Sequence, residues 1–265
     1  MDADGYTLAE KTIAAWDEGH GVAVRLEDIV SMDMLEQLLD GAASSGAKVR
    51  GGSMAKAVDM WVAETLRRIG FPEEGIWPRL RRPRALDPGI LSFIAQMPRD
   101  LADRCRRELP RWYRSTDAFV MGAAYAKQVD VGMASWPSGP ELLISTKTMG
   151  SSFGKNLSNR FEEAYGDAKN LKSRYPLAAL GFVFLVHEDI FGERGSTLKM
   201  VSMLRKLQAE RDVYDSVCLL TAAWDDAGAR LSDDVRASGF LRARRPERLP
   251  FLFRAYPQSG GACTK

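Results

Sequence analysis

The chain has 265 residues, 45% of them hydrophobic, which suffices for one large domain or two smaller ones with a buried core. Its 37 basic and 35 acidic residues leave a net charge of only +2, so any surface for nucleic acid must come from local clustering of charge. Three scattered cysteines without CxxC spacing argue against zinc ribbons and disulfide frameworks, and for a reducing compartment.

The sequence predicts no membrane segment. Its longest apolar run, residues 177–186, is too short to cross a bilayer. The first residues, Met1-Asp2-Ala3-Asp4, are acidic and lack the basic-then-apolar pattern of a signal peptide. We therefore expect a cytoplasmic protein.

The first part of the chain has helical periodicity. The helices predicted here span residues 8–16, 32–39, 53–69 and 91–109. Ser53 is the expected N-cap of the third helix, and Pro110 is expected to end the fourth. Residues 72–90, with four prolines and four arginines, form a basic irregular connector whose arginines fit either a solvated surface or contacts with a DNA backbone. Residues 1–116 are thus predicted to be a helical N-terminal region, suited to dimerisation or DNA recognition.

Residues 117–265 are predicted to form a second, α/β region. Apolar and alternating segments indicate strands over residues 118–126, 128–133, 141–147, 177–186 and 217–224, with helices over 158–173 and 197–211. The continuous apolar run at 177–186 is typical of a central strand buried on both faces. This order predicts the α/β class, with a mixed central β-sheet flanked by helices.

Three polar residues stand out on neighbouring predicted strands. Asp130 lies between Val129 and Val131, and Ser145 and Lys147 share one face of the next strand because successive side chains alternate. If the intervening Pro/Gly turn pairs the strands, Asp130 lies near Ser145 and Lys147. A carboxylate that holds Mg²⁺ beside a lysine that orients water is what metal-assisted phosphodiester hydrolysis requires.

This arrangement resembles the PD-(D/E)xK nuclease superfamily. Within it, Ser145-Thr146-Lys147 is similar to the restriction-enzyme subgroup in which Ser or Thr replaces the acidic residue of the (D/E)xK strand. The resemblance covers residues 117–225 and implies a restriction-endonuclease-like core. Asp130 follows Val129, where the motif has Pro.

In that subgroup a glutamate of the following helix supplies the missing metal ligand. The resemblance therefore implies Mg²⁺ bound by Asp130 and by Glu162 or Glu163, between which the sequence does not decide. Glu64 is a further candidate, because some members of the superfamily use a glutamate of the first core helix. Glu141 shares a face with Lys147, but six strand residues place them roughly 20 Å apart, too far to share one metal ion.

Polar and basic residues follow the predicted catalytic strand. The candidates for DNA contact, at and beyond the start of the next helix, are Lys155, Asn156, Asn159, Arg160 and Lys169. The alternative is a solvated loop followed by an ordinary amphipathic helix.

The resemblance implies a type II-like restriction endonuclease that cuts double-stranded DNA. Such an enzyme is expected to be a homodimer, since a two-fold duplex site suits a two-fold protein, and to have a cognate DNA methyltransferase for the same site. Three alternatives stay open: a non-cleaving DNA-binding protein on the same fold, a repair, structure-specific or modification-dependent nuclease, and a helical interaction protein with an unrelated α/β domain.

Overall fold

The computed structural model describes residues 30–44, 52–113 and 116–232 of the chain. The helix predicted over residues 8–16 lies outside them. Among the helices within them, none is long and apolar enough to cross a membrane. The α-helices are α1 (Met32–Ser44), α2 (Ser53–Arg68), α3 (Pro88–Ala95), α4 (Arg99–Trp112), α5 (Phe153–Arg174) and α6 (Arg194–Ala209). The strands are β1 (Ile76–Trp77), β2 (Ala118–Met121), β3 (Ala126–Val129), β4 (Val131–Ser135), β5 (Gly139–Met149), β6 (Ala179–His187), β7 (Ser216–Asp225) and β8 (Gly228–Leu231).

Six of these strands form one mixed sheet in the order β1-β4-β5-β6-β7-β8. β5, β6 and β7 are parallel to one another, and the remaining neighbours are antiparallel. Parallel neighbours need a long connection, which α5 supplies between β5 and β6 and α6 supplies between β6 and β7. The predicted α/β fold with a mixed central sheet flanked by helices is confirmed.

The central strand β6 divides the hydrophobic core into two halves. Val183 and Leu185 pack with α1 and α2 on one face, whereas Phe182, Phe184 and Val186 pack with α5 and α6 on the other. A strand buried on both faces needs apolar residues at every position, which is why residues 177–186 show no polar alternation. α1, α2 and β1 share the first half of the core with β4 to β8, so residues on both sides of the predicted boundary at 116/117 contribute to it.

The strand predicted over residues 128–133 is two strands. In a straight strand Val129 and Val131 would share one face, yet Val129 packs with α5 and α6 while Val131 packs with α1 and α2. The chain therefore bends at Asp130, between β3 and β4. The strand predicted over 118–126 is likewise the hairpin of β2 and β3, which forms a separate two-stranded sheet.

The helix predicted over residues 91–109 is also divided in two. The side chain of Asp87 caps α3 by accepting a hydrogen bond of 2.7 Å from the Gly89 amide. Pro98 then disfavours helical backbone at Met97, and α4 begins immediately after it. α4 continues two residues past Pro110, where the sequence predicted its end.

Two further local predictions are wrong. Ser53 is the first residue of α2, and the cap position belongs to Gly52, whose φ of 81° is left-handed. Of the four connector arginines, Arg81 and Arg82 are exposed as predicted, whereas Arg79 and Arg84 are buried, with 4% and 1% of their surface exposed. Arg84 donates hydrogen bonds to the carbonyls of Arg79 (3.0 Å) and Leu80, so these two arginines hold the connector together.

An ion pair between a buried lysine and a half-buried aspartate fixes the start of β6 to the segment before β7. Lys172 of α5 lies 2.8 Å from the carboxylate of Asp215 and donates to the Ala178 carbonyl at 2.6 Å. Asp215 also accepts from the Leu180 amide at 2.9 Å. Asp215 thus joins α5, β6 and β7.

We predict that Asp215→Ala lowers the free energy of unfolding by about 3 kcal/mol, because it leaves the charge of Lys172 buried without its partner. The control is Asp103→Ala, which removes an exposed ion pair with Arg106 and should change the free energy by less than about 0.5 kcal/mol. Urea unfolding measures both variants, and equal losses would contradict the structural role of Asp215.

Candidate active site

Asp130 lies where the backbone ladder between β4 and β5 ends. The pair of Val131 with Ile144 is the end of that ladder, and Asp130 comes directly before Val131 in the chain. The next amide of β5 that points towards β4, that of Thr146, donates to Oδ2 of Asp130 at 2.9 Å. The hydroxyl of Ser145 lies 3.4 Å from the same oxygen. The carboxylate therefore replaces a backbone carbonyl of β4 and is fixed against the middle of β5.

Lys147 follows on the same face of β5 as Ser145. Two strand residues separate them by about 6.6 Å. Lys147 is half-buried, and within the described part of the chain its side chain makes no hydrogen bond or ion pair. The structure thus brings Asp130 and Ser145 together, as the sequence predicts, and places Lys147 one step along the same strand face.

A buried tyrosine, Tyr214, lies beside Ser145. Its hydroxyl donates to the Ala164 carbonyl of α5 at 3.0 Å and lies near the hydroxyl of Ser145. Burial, together with the nearby carboxylates of Asp167 and Asp130, raises the pKa of Tyr214 well above its usual value. Its hydroxyl therefore stays protonated and keeps its hydrogen bond to α5.

Asp167 of α5 is a buried carboxylate that lies near Tyr214. It is 6% exposed, its Oδ2 lies 2.5 Å from the ammonium of Lys127, and Tyr125 donates to its Oδ1 at 3.0 Å. Burial and Asp167 raise the pKa of Tyr125. Asp167 was not among the predicted site residues, and although it follows Glu163 by one helical turn it is buried whereas Glu163 is exposed.

The two glutamates that the resemblance favours lie on the outside of α5. Glu162 and Glu163 are both exposed, and Glu163 pairs with Arg160 at 2.8 Å. Neither is hydrogen-bonded to Asp130 in the described part of the chain.

Glu64 is held by two arginines of its own helix. Only 7% exposed, it lies 3.5 Å from Arg67 and 3.0 Å from Arg68. Burial lowers the pKa of Arg67, a shift that Glu64 partly offsets. In the structure Glu64 therefore forms ion pairs with two arginines at the C-terminal end of α2, just before the connector.

A different acidic residue of α2 reaches the candidate strand. Asp59 is 1% exposed and accepts a hydrogen bond from the hydroxyl of Thr146, whose amide binds Asp130. Lys56 lies one helical turn away, 3.6 Å from Asp59. The signal in the sequence was an aspartate within the apolar run Val58 to Ala63, where an unpaired charge would be costly.

A small cleft lies on this side of the sheet. Lys56 reaches across it to within 3.8 Å of Asp117, which also accepts from Gln128 at 2.7 Å. Its lining includes Lys56, Trp77, Arg84, Asp117, Gln128 and Asp130. Asp130 is therefore accessible from a cleft that carries charges of both signs.

The candidate DNA-contacting residues are distributed over α5. Lys155 and Asn159 are exposed, and Asn156 and Arg160 are half-buried. Lys169 donates to the Arg211 carbonyl at 3.0 Å and lies over the ring of Tyr165. The first four are accessible near the start of α5, whereas Lys169 also has a structural role near its end.

The donors around Asp130 suit a hard cation. The described residues contain no group of three or more His, Cys, Asp or Glu that could hold a metal ion. Mg²⁺ does not require one, because it is often bound through one or two carboxylates, several waters and the phosphates of its substrate. Asp130, with the hydroxyl of Ser145 beside it, fits that description.

Comparison with family models, curated proteins and solved structures finds no match for this chain. The resemblance to PD-(D/E)xK nucleases therefore depends on Asp130, Ser145, Lys147 and the order of strands and helices.

We predict that Asp130→Ala lowers the free energy of unfolding by about 1–3 kcal/mol, because it leaves the amide of Thr146 without an acceptor. Asp130→Asn keeps an acceptor oxygen and should cost clearly less. Urea unfolding of both variants measures the difference. Equal losses would show that the hydrogen bond to Thr146 does not fix Asp130.

Proposed function

We propose that this protein is a Mg²⁺-dependent endonuclease that hydrolyses phosphodiester bonds of double-stranded DNA, of the type II restriction kind. The observation that carries the proposal is the fixed position of Asp130 against Ser145 and Thr146, with Lys147 next on the same face of β5. A carboxylate that can hold a metal ion and a lysine that can orient a water molecule are two of the groups that this chemistry uses.

The topology around these residues supports the same proposal. β4 and β5 are antiparallel, and β5 continues through α5 into the parallel strand β6. That is the order expected of a PD-(D/E)xK core. A shared fold does not by itself imply a shared activity, so the proposal depends on the residues at the end of the β4–β5 ladder.

Each residue of the proposed site has a distinct task. Asp130, held by the Thr146 amide, would bind Mg²⁺ together with Glu162 or Glu163, and the bound ion would polarise the phosphate and acidify a water molecule. Lys147 would orient that water and offset the negative charge of the phosphate. The neutral hydroxyl of Ser145, 3.4 Å from Asp130, stands where the superfamily usually has an acid, which is why a glutamate of α5 is needed.

The remaining features of the proposal concern partners. Lys155, Asn156, Asn159 and Arg160 would contact the phosphate backbone near the start of α5, with Lys169 further along the same helix. A restriction enzyme of this kind would act in the cytoplasm as a homodimer, since a two-fold site suits two copies. A DNA methyltransferase of the same specificity would protect the host DNA.

A non-cleaving DNA-binding protein on the same fold is the second candidate. The observations that favour it are Ser145 in place of the acid, the two arginines that hold Glu64, and the ion pair of Glu163 with Arg160. Such a protein would bind duplex DNA and would not cleave it, so Lys147 would have no catalytic role.

Plasmid cleavage with and without Mg²⁺ tests the proposal. We predict that the wild-type protein cuts a long duplex into discrete fragments only with Mg²⁺, and that Lys147→Ala lowers the rate about 100-fold or more. Lys206→Ala, which removes an exposed lysine of α6, is the matched control and should retain full activity. DNA binding without any cleavage would favour the second candidate, and structure-selective cutting would contradict the restriction assignment.

Magnesium titration of cleavage separates the acidic candidates. One of Glu162→Gln and Glu163→Gln should raise the Mg²⁺ concentration for half-maximal activity by at least about tenfold, since losing even an outer-shell partner of a metal has that effect. Glu64→Gln should lower stability and leave the magnesium dependence unchanged, because Glu64 pairs with Arg67 and Arg68. Unchanged dependence in both α5 variants would remove that helix from the metal site.

A further inference from the structure

The helices α3 and α4 form an arm that begins and ends beside the cleft of Asp130. Ala85 lines that cleft and precedes the start of α3 by three residues, and Thr116 lines it and follows the end of α4 by four residues. Between these two points, the substantial contacts of α3 and α4 are with each other. A long polymer that enters the cleft therefore passes close to the base of the arm.

Three arginines lie on one face of α4. This helix of 14 residues contains five arginines, of which Arg104, Arg107 and Arg111 are spaced by three and then four residues. At 100° per residue these three lie within about 60° of one another, and we call them the arginine row. All three are exposed, whereas Ala102, the buried residue of α4, lies on the opposite side of the helix. The arginine row therefore faces away from the buried side of α4.

The protein itself neutralises little of the charge of the arginine row. Within the described part of the chain, the side chains of Arg104 and Arg107 make no ion pair or hydrogen bond, and Arg111 lies 3.2 Å from Glu108. Asp100 lies on the same face, one helical turn before Arg104, and is the acidic residue at the start of the row. Two unpaired guanidinium groups thus lie side by side on an exposed face, which favours an anionic partner.

The spacing of the arginine row suits a nucleic-acid backbone. Arg104 and Arg111 are seven residues apart, which is about 10.5 Å along the helix axis. Each strand of a DNA duplex carries one phosphate per about 3.4 Å of its axis, so a row of this length spans about three phosphates. A guanidinium group is planar and can donate two hydrogen bonds to one phosphate, which makes arginine well suited to this contact.

We infer that the arginine row of α4 binds the phosphate backbone of duplex DNA beside the cleft, and so positions the duplex relative to Asp130. The partner is the duplex DNA of the proposed function, on which this contact rests. The row belongs to a different helix from the candidate DNA-contacting residues of α5, so variants can test the two surfaces separately. Because phosphate contacts position a duplex without reading its bases, the row should raise the affinity for every sequence alike.

The salt dependence of DNA binding by the full chain tests this contact. Fluorescence anisotropy in EDTA, with a labelled duplex of about 30 base pairs, measures binding without cleavage. Arg104→Ala/Arg107→Ala should raise the dissociation constant about tenfold or more at low salt. It should also reduce the slope of log binding constant against log salt by about 1.8, since each phosphate contact contributes about 0.9. Arg104→Lys/Arg107→Lys keeps both charges and should keep the slope.

The other two exposed arginines of α4 provide the matched control. Arg99 and Arg106 lie within about 20° of each other and at least about 80° from every member of the arginine row. Arg99→Ala/Arg106→Ala removes the same charge from the same helix and should leave the slope unchanged. Circular dichroism verifies that each variant is folded. An unchanged slope in Arg104→Ala/Arg107→Ala would overturn the contact, and so would an equal loss of slope in the control pair.

Two further measurements separate the alternatives. If Arg104→Ala/Arg107→Ala abolishes binding to phosphatidylserine vesicles and leaves DNA binding intact, the row faces an anionic membrane and the DNA contact is overturned. Plasmid cleavage with Mg²⁺ distinguishes this contact from the proposed function. Cleavage by the wild type, with an unchanged slope in the double variant, would overturn the contact alone. DNA binding that depends on the row, without cleavage at any Mg²⁺ concentration, would support the contact and overturn the nuclease.

Discussion

One hydrogen bond determines the geometry of the candidate site: the Thr146 amide of β5 donates to the carboxylate of Asp130. The chain bends at Asp130, so β4 offers no backbone carbonyl to that amide, and the side chain takes its place. A buried amide without an acceptor costs about 1–3 kcal/mol, which ties the position of Asp130 to the stability of the sheet. The carboxylate of Asp130 is consequently held beside Ser145, and Lys147 follows two residues later on β5.

The same strand connects the site to both halves of the core. Thr146 turns its hydroxyl to the buried Asp59 of α2, while Ser145 faces Tyr214 on the α5 side. Because polar groups inside a protein are costly when unpaired, the hydrogen bond between Thr146 and Asp59 fixes β5 against α2. One short segment of β5, residues 145–146, is therefore approached from three directions by Asp130, Asp59 and Tyr214. Lys147 lies next to this segment on β5.

The sequence predicted the parts of this structure that depend on local pattern. The apolar run of β6 and the alternation along β5 define the central sheet, and they were sufficient to bring Asp130 and Ser145 together. Val129 and Val131 were placed on one face because alternation along the sequence does not reveal the bend at Asp130 that separates β3 from β4. Asp59 and Asp167 were missed because their partners are distant in sequence. For Glu162 and Glu163, helical periodicity could not decide whether either turns towards the sheet.

Nuclear magnetic resonance of the Thr146 amide during Mg²⁺ titration, with a non-cleavable DNA duplex present, tests the central claim most directly. Magnesium held by Asp130 would draw electron density from the oxygen that accepts this amide, so the Thr146 resonance should shift saturably in the wild type. The shift should be absent in Asp130→Asn. A Thr146 resonance that stays unmoved at magnesium concentrations that saturate cleavage would contradict the placement of the ion at Asp130.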